Sequence, residues 1–289
     1  MIRLVATDMD GTLLTHDKKI SFKNKEALRI AQEKGVILTL ASGRGERSLI
    51  RYAQELDMYR YGGYLICNNG QKVISLKDGE VIENPVLSQD IVQRIFRFAK
   101  NNRLQLIMEG EKGTSTYTPL HMNIARFVYR RIKKLGYQLR KNPKDSRFDL
   151  FTLFSTHPVT HIAKEDDIGT LYFKIGISHR KVRLDKIIAS LTQEFGQDIS
   201  IYRVTETWID LVAYGVSKAM GLKQILDMSE IPTECVMAIG DSENDIEMLN
   251  YAGIGVAMGN AMSTVLAIAD EVTLSNEDDG VAVIVLKHI

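Results

Sequence analysis

The sequence predicts an α/β protein: a parallel sheet covered by helices, interrupted by an inserted α+β module. Three observations lead there. Short apolar runs alternate with helix-period segments over roughly the first eighty residues, and the same alternation returns from Cys235 onward. The stretch between reads as paired strands with two longer helices, the pattern of a largely antiparallel sheet. The expected division is residues 1–82 with 213–289 for a discontinuous parallel-sheet core, and 83–212 for the insertion.

Ile2 to Thr7 is the first apolar run. Ser21 to Lys34 carries Phe22, Leu28 and Ala31 at helical spacing, with Ser21 as N-cap and Gly35 as stop. Val36 to Leu40 is the second run. A helical stretch around Arg47 to Leu56 leads to the third, Tyr64-Leu65-Ile66-Cys67, and then to the turn Asn68-Asn69-Gly70. Strands separated by helices in this way form βαβ units and therefore a parallel sheet.

In the insertion, Ser88 to Asn101 is expected as a helix, Leu104 to Met108 as a strand and Ser115 to Thr118 as its hairpin partner. Leu171 to Ser178 is a further strand. Arg180 to Phe195 is a helix with Ile187, Ile188 and Leu191 on one face. Ile199 to Val204 and Trp208 to Val212 resemble a terminal hairpin, with Trp208 in the core. Cys235 to Ile239 is then a buried strand, and Gly240-Asp241 opens a helix containing Ile246 and Leu249. Two short strands, Gly255 to Met258 and Glu271 to Thr273, precede a closing helix from Gly280.

Lys plus Arg number 37 against 36 Asp plus Glu, a balance that argues against nucleic acid or a membrane surface as partner. No apolar run approaches the roughly 18 to 20 residues needed to cross a bilayer, and the N-terminus shows no basic-then-apolar leader. Cys67 and Cys235 lie in separate apolar segments and are expected as free, buried thiols. Together these features fit the cytoplasm.

In open parallel sheets, ligands bind beyond the carboxyl ends of the strands. Asp8 and Asp10, Ser42, and Asp241 with Asp245 fall at such ends, and Lys218 follows the return from the insertion. Positions i and i+2 of a strand share a side, so Asp8 and Asp10 can face one site, with Gly11 turning the chain away. Several carboxylates at one sheet edge repel each other unless a cation joins them. They suit a hard dication such as Mg²⁺, which favours oxygen ligands. Ser42, the Gly43 amide, Asn244 and Lys218 would add hydrogen bonds and a positive charge suited to a phosphate dianion. Asp8, in line with phosphorus, could attack it to form an aspartyl-phosphate. Asp10 could donate a proton to the departing alcohol and later take one from water.

Singly, each feature also fits a plainer role: a turn for Asp-x-Asp, a helix cap for Ser-Gly, a surface position for Lys218, an acidic first helical turn for Asp241 to Asp245. Their joint occurrence, in this order and at strand ends, is what favours a site.

Asp8-Met9-Asp10-Gly11-Thr12-Leu13-Leu14 resembles the first motif of the haloacid dehalogenase (HAD) superfamily of phosphohydrolases. Thr39-Leu40-Ala41-Ser42-Gly43-Arg44 resembles the second, Gly215-Val216-Ser217-Lys218 the third, and Gly240-Asp241-Ser242-Glu243-Asn244-Asp245 the fourth. Ala252 to Ala261 and Asp279-Gly280-Val281 are similar to the Cof-type branch. The resemblance runs the full length of the chain. It implies a Rossmann-like core with a C2B-type α/β cap inserted between the second and third motifs.

By position it makes Asp8 the nucleophile and Asp10 the acid/base. Asp8, the Asp10 carbonyl and Asp241 would hold Mg²⁺, with Asp245 supporting the metal loop. Ser42, the Gly43 backbone, Lys218, Asn244 and the Met9 amide would bind the phosphoryl group. One departure is Asp210 with Ala213, where the family often shows Glu-x-x-Pro. Another is Ala219-Met220-Gly221 after Lys218, where Gly-x-Ala is common.

The activity implied is hydrolysis of small phosphate esters such as sugar phosphates. Transfer to a second hydroxyl, as in a phosphomutase, and phosphometabolite binding without catalysis are the alternatives. In the cap, Tyr117, Arg126 and Arg147 are candidate leaving-group contacts that equally fit a solvated surface. His157 and His161 have metal-ligand spacing, but Pro158 disfavours the helix this requires.

Overall fold

The computed structural model describes residues 1–122, 159–169 and 171–289. Arg126, Arg147, His157 and Pro158 lie outside the described residues.

The first apolar run becomes β1 (Leu4–Asp8), buried throughout. Its alternation sends Val5 into one core layer and Leu4 with Ala6 into the other, so both sheet faces must be covered by helices. β2 (Ile37–Ala41) and β3 (Tyr64–Cys67) follow in parallel on one side of β1. β12 (Val236–Gly240), β13 (Ile254–Ala257) and β14 (Glu271–Val272) extend the sheet in parallel on the other side. The hairpin β4 (Lys72–Ser75) and β5 (Val81–Glu83) adds an antiparallel edge. That hairpin was not legible in the sequence, because the short polar segment around it carries no clear alternation.

The order is β14-β13-β12-β1-β2-β3-β4-β5. β1 therefore lies where the winding of the chain reverses, with β2 and β12 as neighbours. Register pairs Asp8 with Ala41 and Thr7 with Ile239, so the carboxyl ends of the three strands lie side by side.

Helix Phe22–Glu33 starts where expected: the Ser21 hydroxyl accepts from the Asn24 amide at 3.1 Å. It packs with the closing helix Gly280–His288 on one face of the sheet. On the other face, helix Lys218–Ser229 buries Leu222, Ile225 and Leu226 against Ile66, Val73 and Ala238. Ser217 caps that helix through the Met220 amide, which places Lys218 in its first turn.

The chain between β5 and the helix at Lys218 builds a second sheet, ordered β10-β11-β9-β6-β7-β8. Its strands are β6 (Leu106–Gly110), β7 (Gly113–Tyr117), β8 (Val159–His161), β9 (Tyr172–Ser178), β10 (Ile199–Thr205) and β11 (Trp208–Ala213). Pairing is antiparallel except between β7 and β8. Helices Gln89–Asn102 and Lys181–Phe195 cover one face, where Val92, Ile95, Leu184 and Leu191 meet Leu106, Met108, Ile175, Ile177, Ile209 and Leu211. The alternate residues Glu109, Lys174 and Asp210 stand on the opposite face. The whole is the expected α/β architecture, a parallel core sheet with an inserted α+β module.

Three expectations shift in detail. The indole of Trp208 is half-buried and lies across Gly176, where a Cβ would come within 2.2 Å of it. Cys235 is half-buried, whereas Cys67 is buried and burial pushes its thiol up to about 12. Residues Glu243–Asp245 form a short 3₁₀ turn before helix Ile246–Tyr251 begins. Among the described residues, no helix is long and apolar enough to cross a membrane.

Helix Gln89–Asn102 is capped by the Ser88 hydroxyl, which accepts from the Ile91 amide at 3.3 Å. Ser88→Ala should lower stability by about 1 kcal/mol in chemical denaturation, and Ser88→Asp, also a good cap, should retain it. Equal stability of the alanine variant and the parent would contradict the capping role.

Candidate active site

β1 stops at Asp8, and Gly11 turns the chain at φ +85°. A Cβ on Gly11 would lie 2.4 Å from Asp241 Oδ2, so only glycine lets the first loop approach the fourth. The Thr12 hydroxyl donates to Asp241 Oδ1 at 2.9 Å across this approach. From the C-terminal region, Asn260 Nδ2 donates to the Gly11 carbonyl and Asn276 Nδ2 to the Leu14 carbonyl, both at 2.8 Å. The first loop is therefore held from two sides.

Lys218 reaches the same place from its helix. Its ammonium, with no exposed side-chain surface, donates to Asp8 Oδ1 at 2.5 Å and to Asp245 Oδ1 at 2.7 Å. The other oxygen of Asp245 accepts the Asp241 and Ser242 amides, both at 3.1 Å, and so shapes the fourth loop. Burial works against charge on Lys218, but Asp245 and Asp8 outweigh it and hold the ammonium above the ordinary lysine range.

Asp8, Asp241 and Asp245 each offer an oxygen within 4.8 Å of the others. One lysine cannot neutralise three carboxylates. Burial first, then the opposing pull of Lys218 and the push of Asp245, raise Asp8 to about 7. Burial and the charges of Asp8 and Asp245 raise Asp241 to about 8. Among the described residues no donor meets the Oδ2 atoms of Asp8 and Asp241. An all-oxygen donor set with surplus negative charge and two undonated carboxylate oxygens fits a hard divalent cation.

Asp10 is not in that cluster. The shared-side expectation assumed strand geometry through residue 10, but the strand ends at Asp8 and the chain turns. The Asp10 carboxylate is gripped by the Arg44 guanidinium, Nε at 2.5 Å and Nη2 at 2.6 Å, and by Lys18 Nζ at 2.6 Å. Burial would raise this carboxyl, but the Arg44 and then the Lys18 contacts outweigh it and bring it to about 2.

The candidate phosphate ligands surround the three strand ends. Ser42 is buried, and its hydroxyl accepts from the Arg44 amide at 3.2 Å. Its carbonyl accepts from the Asn69 amide at 2.9 Å. Asn69 Oδ1 accepts in turn from Asn244 Nδ2 at 3.1 Å, tying the second loop to the fourth. Met9 is fully buried, with its carbonyl accepting from the Leu14 amide at 2.8 Å. Gly43 lies against the inserted sheet: a Cβ there would come 3.2 Å from both Asn69 and Asp210.

Sequence reasoning assigned no role to Arg44, Lys18, Asn69 or Lys174. Arg44 sat inside a recognised motif, which was a usable signal. Lys174 lies in an otherwise apolar strand, and only the fold shows that its alternate face meets the core. Tyr117 packs edge-on against Phe96, ring centroids 4.8 Å apart, inside the module. His161 pairs with the Thr116 hydroxyl at 3.1 Å.

The sequence model of the family described as haloacid dehalogenase-like hydrolase matches residues 5–285. Phosphatase YwpJ of Bacillus subtilis is 28% identical over 294 residues, covering all of both chains. The 5-amino-6-(5-phospho-D-ribitylamino)uracil phosphatase YitU of the same organism is 27% identical, over 96% of this chain and 94% of its own length. The structure of the HAD subclass IIB sugar phosphatase BT4131 superposes with a TM-score of 0.76 at 25% identity, covering 99% of this chain and 98% of that one.

The raised carboxyls set a pH dependence of stability. Asp8 and Asp241 rise from 3.8 to about 7 and 8, so without a cation the folded protein binds protons that the unfolded chain releases. Their contribution is full below about pH 4 and is lost as pH rises through 7 to 8. In chelator, the melting temperature should fall over that window, and Mg²⁺ should restore it most at the alkaline end. A melting temperature indifferent to Mg²⁺ at pH 8 would contradict the cation fit.

Proposed function

The chain belongs to the haloacid dehalogenase-like hydrolases, of the Cof type, and is a phosphoric monoester hydrolase; from that premise we propose that it hydrolyses small phosphorylated polyhydroxyl metabolites at Asp8, with Mg²⁺ as cofactor. The observation that carries this reading is the buried Lys218 between Asp8 and Asp245, beside Asp241.

Asp8 and Asp241, with the Asp10 carbonyl, would hold the metal, and Asp245 would keep the loop of Asp241 in shape. Bound Mg²⁺ would neutralise charge on the phosphoryl oxygens. Lys218 holds Asp8 in one orientation and adds positive charge where the transferring group collects negative charge. Ser42, the Gly43 and Met9 backbone and Asn244 complete the phosphate cradle. Asp8 attacks phosphorus, the ester bond breaks, and the alcohol leaves with a proton from Asp10. Water, deprotonated by Asp10, then releases inorganic phosphate. The Arg44 and Lys18 grip keeps Asp10 ionised, ready as a base; to act as an acid it must leave that grip and take up a proton.

Residues 83–212 act as the cap in this reading. Register places Glu109, Thr114, Thr116 and His161 on the same sheet face as Lys174, which touches the core. Hydrogen-bonding groups on that face suit a polyhydroxyl leaving group, and the similar sugar phosphatase and ribityl-phosphate phosphatase act on such compounds.

Asp8→Asn should abolish release of inorganic phosphate from p-nitrophenyl phosphate while leaving the melting temperature within a few degrees; full activity in that variant would remove Asp8 as nucleophile. EDTA should stop turnover and added Mg²⁺ restore it, whereas an undiminished rate in chelator would contradict the cofactor. Asp10→Asn should lower kcat by about 10² to 10⁴-fold, and a parent-like rate would contradict its proton-transfer role. Across phosphorylated metabolites, sugar and polyol phosphates should give the highest kcat/KM, with phosphate released rather than moved within the substrate.

A further inference from the structure

We propose that Lys174, on the inserted sheet, is a positioning residue of the phosphoryl-transfer site that sets the peptide between Gly43 and Arg44; the proposal rests on the phosphatase reading above.

The placement of Lys174 is unusual, since lysines are rarely buried unless paired. Lys174 stands on β9 with only 10% of its side chain exposed, and Nζ donates to the Gly43 carbonyl at 2.8 Å. Glu109 Oε1 at 3.4 Å and Asp210 Oδ2 at 3.5 Å flank the same ammonium. Burial opposes its charge, and Asp210 and Glu109 offset this and hold it protonated. A buried ion cluster of this kind is a weak source of stability, since desolvation cancels much of the attraction. A methionine would fill the same space without that penalty. What a methionine could not do is donate to one chosen backbone oxygen, and a charged donor makes that bond stronger than a neutral one.

That oxygen is well placed. The Gly43 carbonyl and the Arg44 amide belong to one peptide plane. Lys174 holds the carbonyl end, and Ser42 Oγ accepts from the amide end at 3.2 Å. The plane is thus fixed by one bond from the inserted sheet and one from the core. Its orientation sets where Arg44 leaves the backbone, and Arg44 carries Asp10 by two hydrogen bonds. The other side of the cluster reaches the fourth loop. Asp210 accepts from Trp208 Nε1 at 2.8 Å and Asn69 Nδ2 at 2.9 Å, and Asn69 accepts from Asn244. Both ends of the network therefore terminate on groups assigned to phosphate binding or proton transfer. Seating of the inserted sheet is felt at the reacting centre through named bonds.

Lys174→Met, Asp210→Asn and the double variant should be compared with the parent using p-nitrophenyl phosphate, with melting temperatures measured alongside. Lys174→Met should lower kcat about tenfold or more, with KM within about twofold, because it loosens geometry that matters in the transition state. Lys174→Arg should recover most of the loss. To separate this from an orphaned buried carboxylate, the same lysine is removed in the Asp210→Asn background. There kcat should again fall about tenfold relative to Asp210→Asn alone, with similar melting temperatures. An unchanged kcat on losing Lys174 in that background, or a loss that tracks melting temperature alone, would overturn the proposal. Absence of phosphate release by the parent would instead overturn the phosphatase reading, and this proposal with it.

Discussion

One ammonium among two buried carboxylates and a half-buried third is the constraint on which the site depends. Lys218 binds Asp8 and Asp245 and leaves Asp241 to Thr12. Attraction to a single ammonium cannot compensate the desolvation of the cluster, so Asp8 and Asp241 are pushed toward their protonated forms and offer oxygens that fit a divalent cation. Much of the architecture follows from bringing these groups together. β1 must sit beside β12, Gly11 must lack a side chain, and the helix after the second sheet must begin at residue 218.

Most of the core was legible in the sequence, for a simple reason. Buried parallel strands such as Leu4–Asp8 and Val236–Gly240 have both faces covered, so they read as continuous apolar runs ending in polar motifs. The Ser21 cap announced its helix, and the helix from Ser88 was expected as well, whereas the Ser217 cap and the helix it starts appear only in the fold. The hairpin β4–β5 and strand β8 were not announced: β5 and β8 are short, largely exposed edge strands, and β4 is only four residues long, too short to show a period. Likewise, the positions of Asp8 and Asp241 followed from strand ends and that of Lys218 from the return of the chain after the insertion, but the side to which Asp10 turns did not. That depended on where β1 stops and on Arg44, a partner 34 residues away in sequence.

The inserted sheet shows how two separately packed layers share one site. Its inner face packs on its own helices as an ordinary apolar core. Its outer face carries Glu109, Lys174 and Asp210, polar residues that would be poor surface economy if they did not meet the core. Gly43 and Asn69 provide the receiving surface, one through its carbonyl and one through its amide. The inserted sheet and the candidate site therefore meet at the loop after β2, next to Ser42.

The central claim is that phosphate passes through Asp8. It is tested most directly by quenching the Asp10→Asn variant in acid during turnover of p-nitrophenyl phosphate and reducing it with tritiated borohydride. An aspartyl-phosphate is reduced to homoserine, so the account predicts tritium in the peptide containing residue 8, as homoserine at that position. Substrate-dependent label at another carboxylate, or none at residue 8, would contradict it.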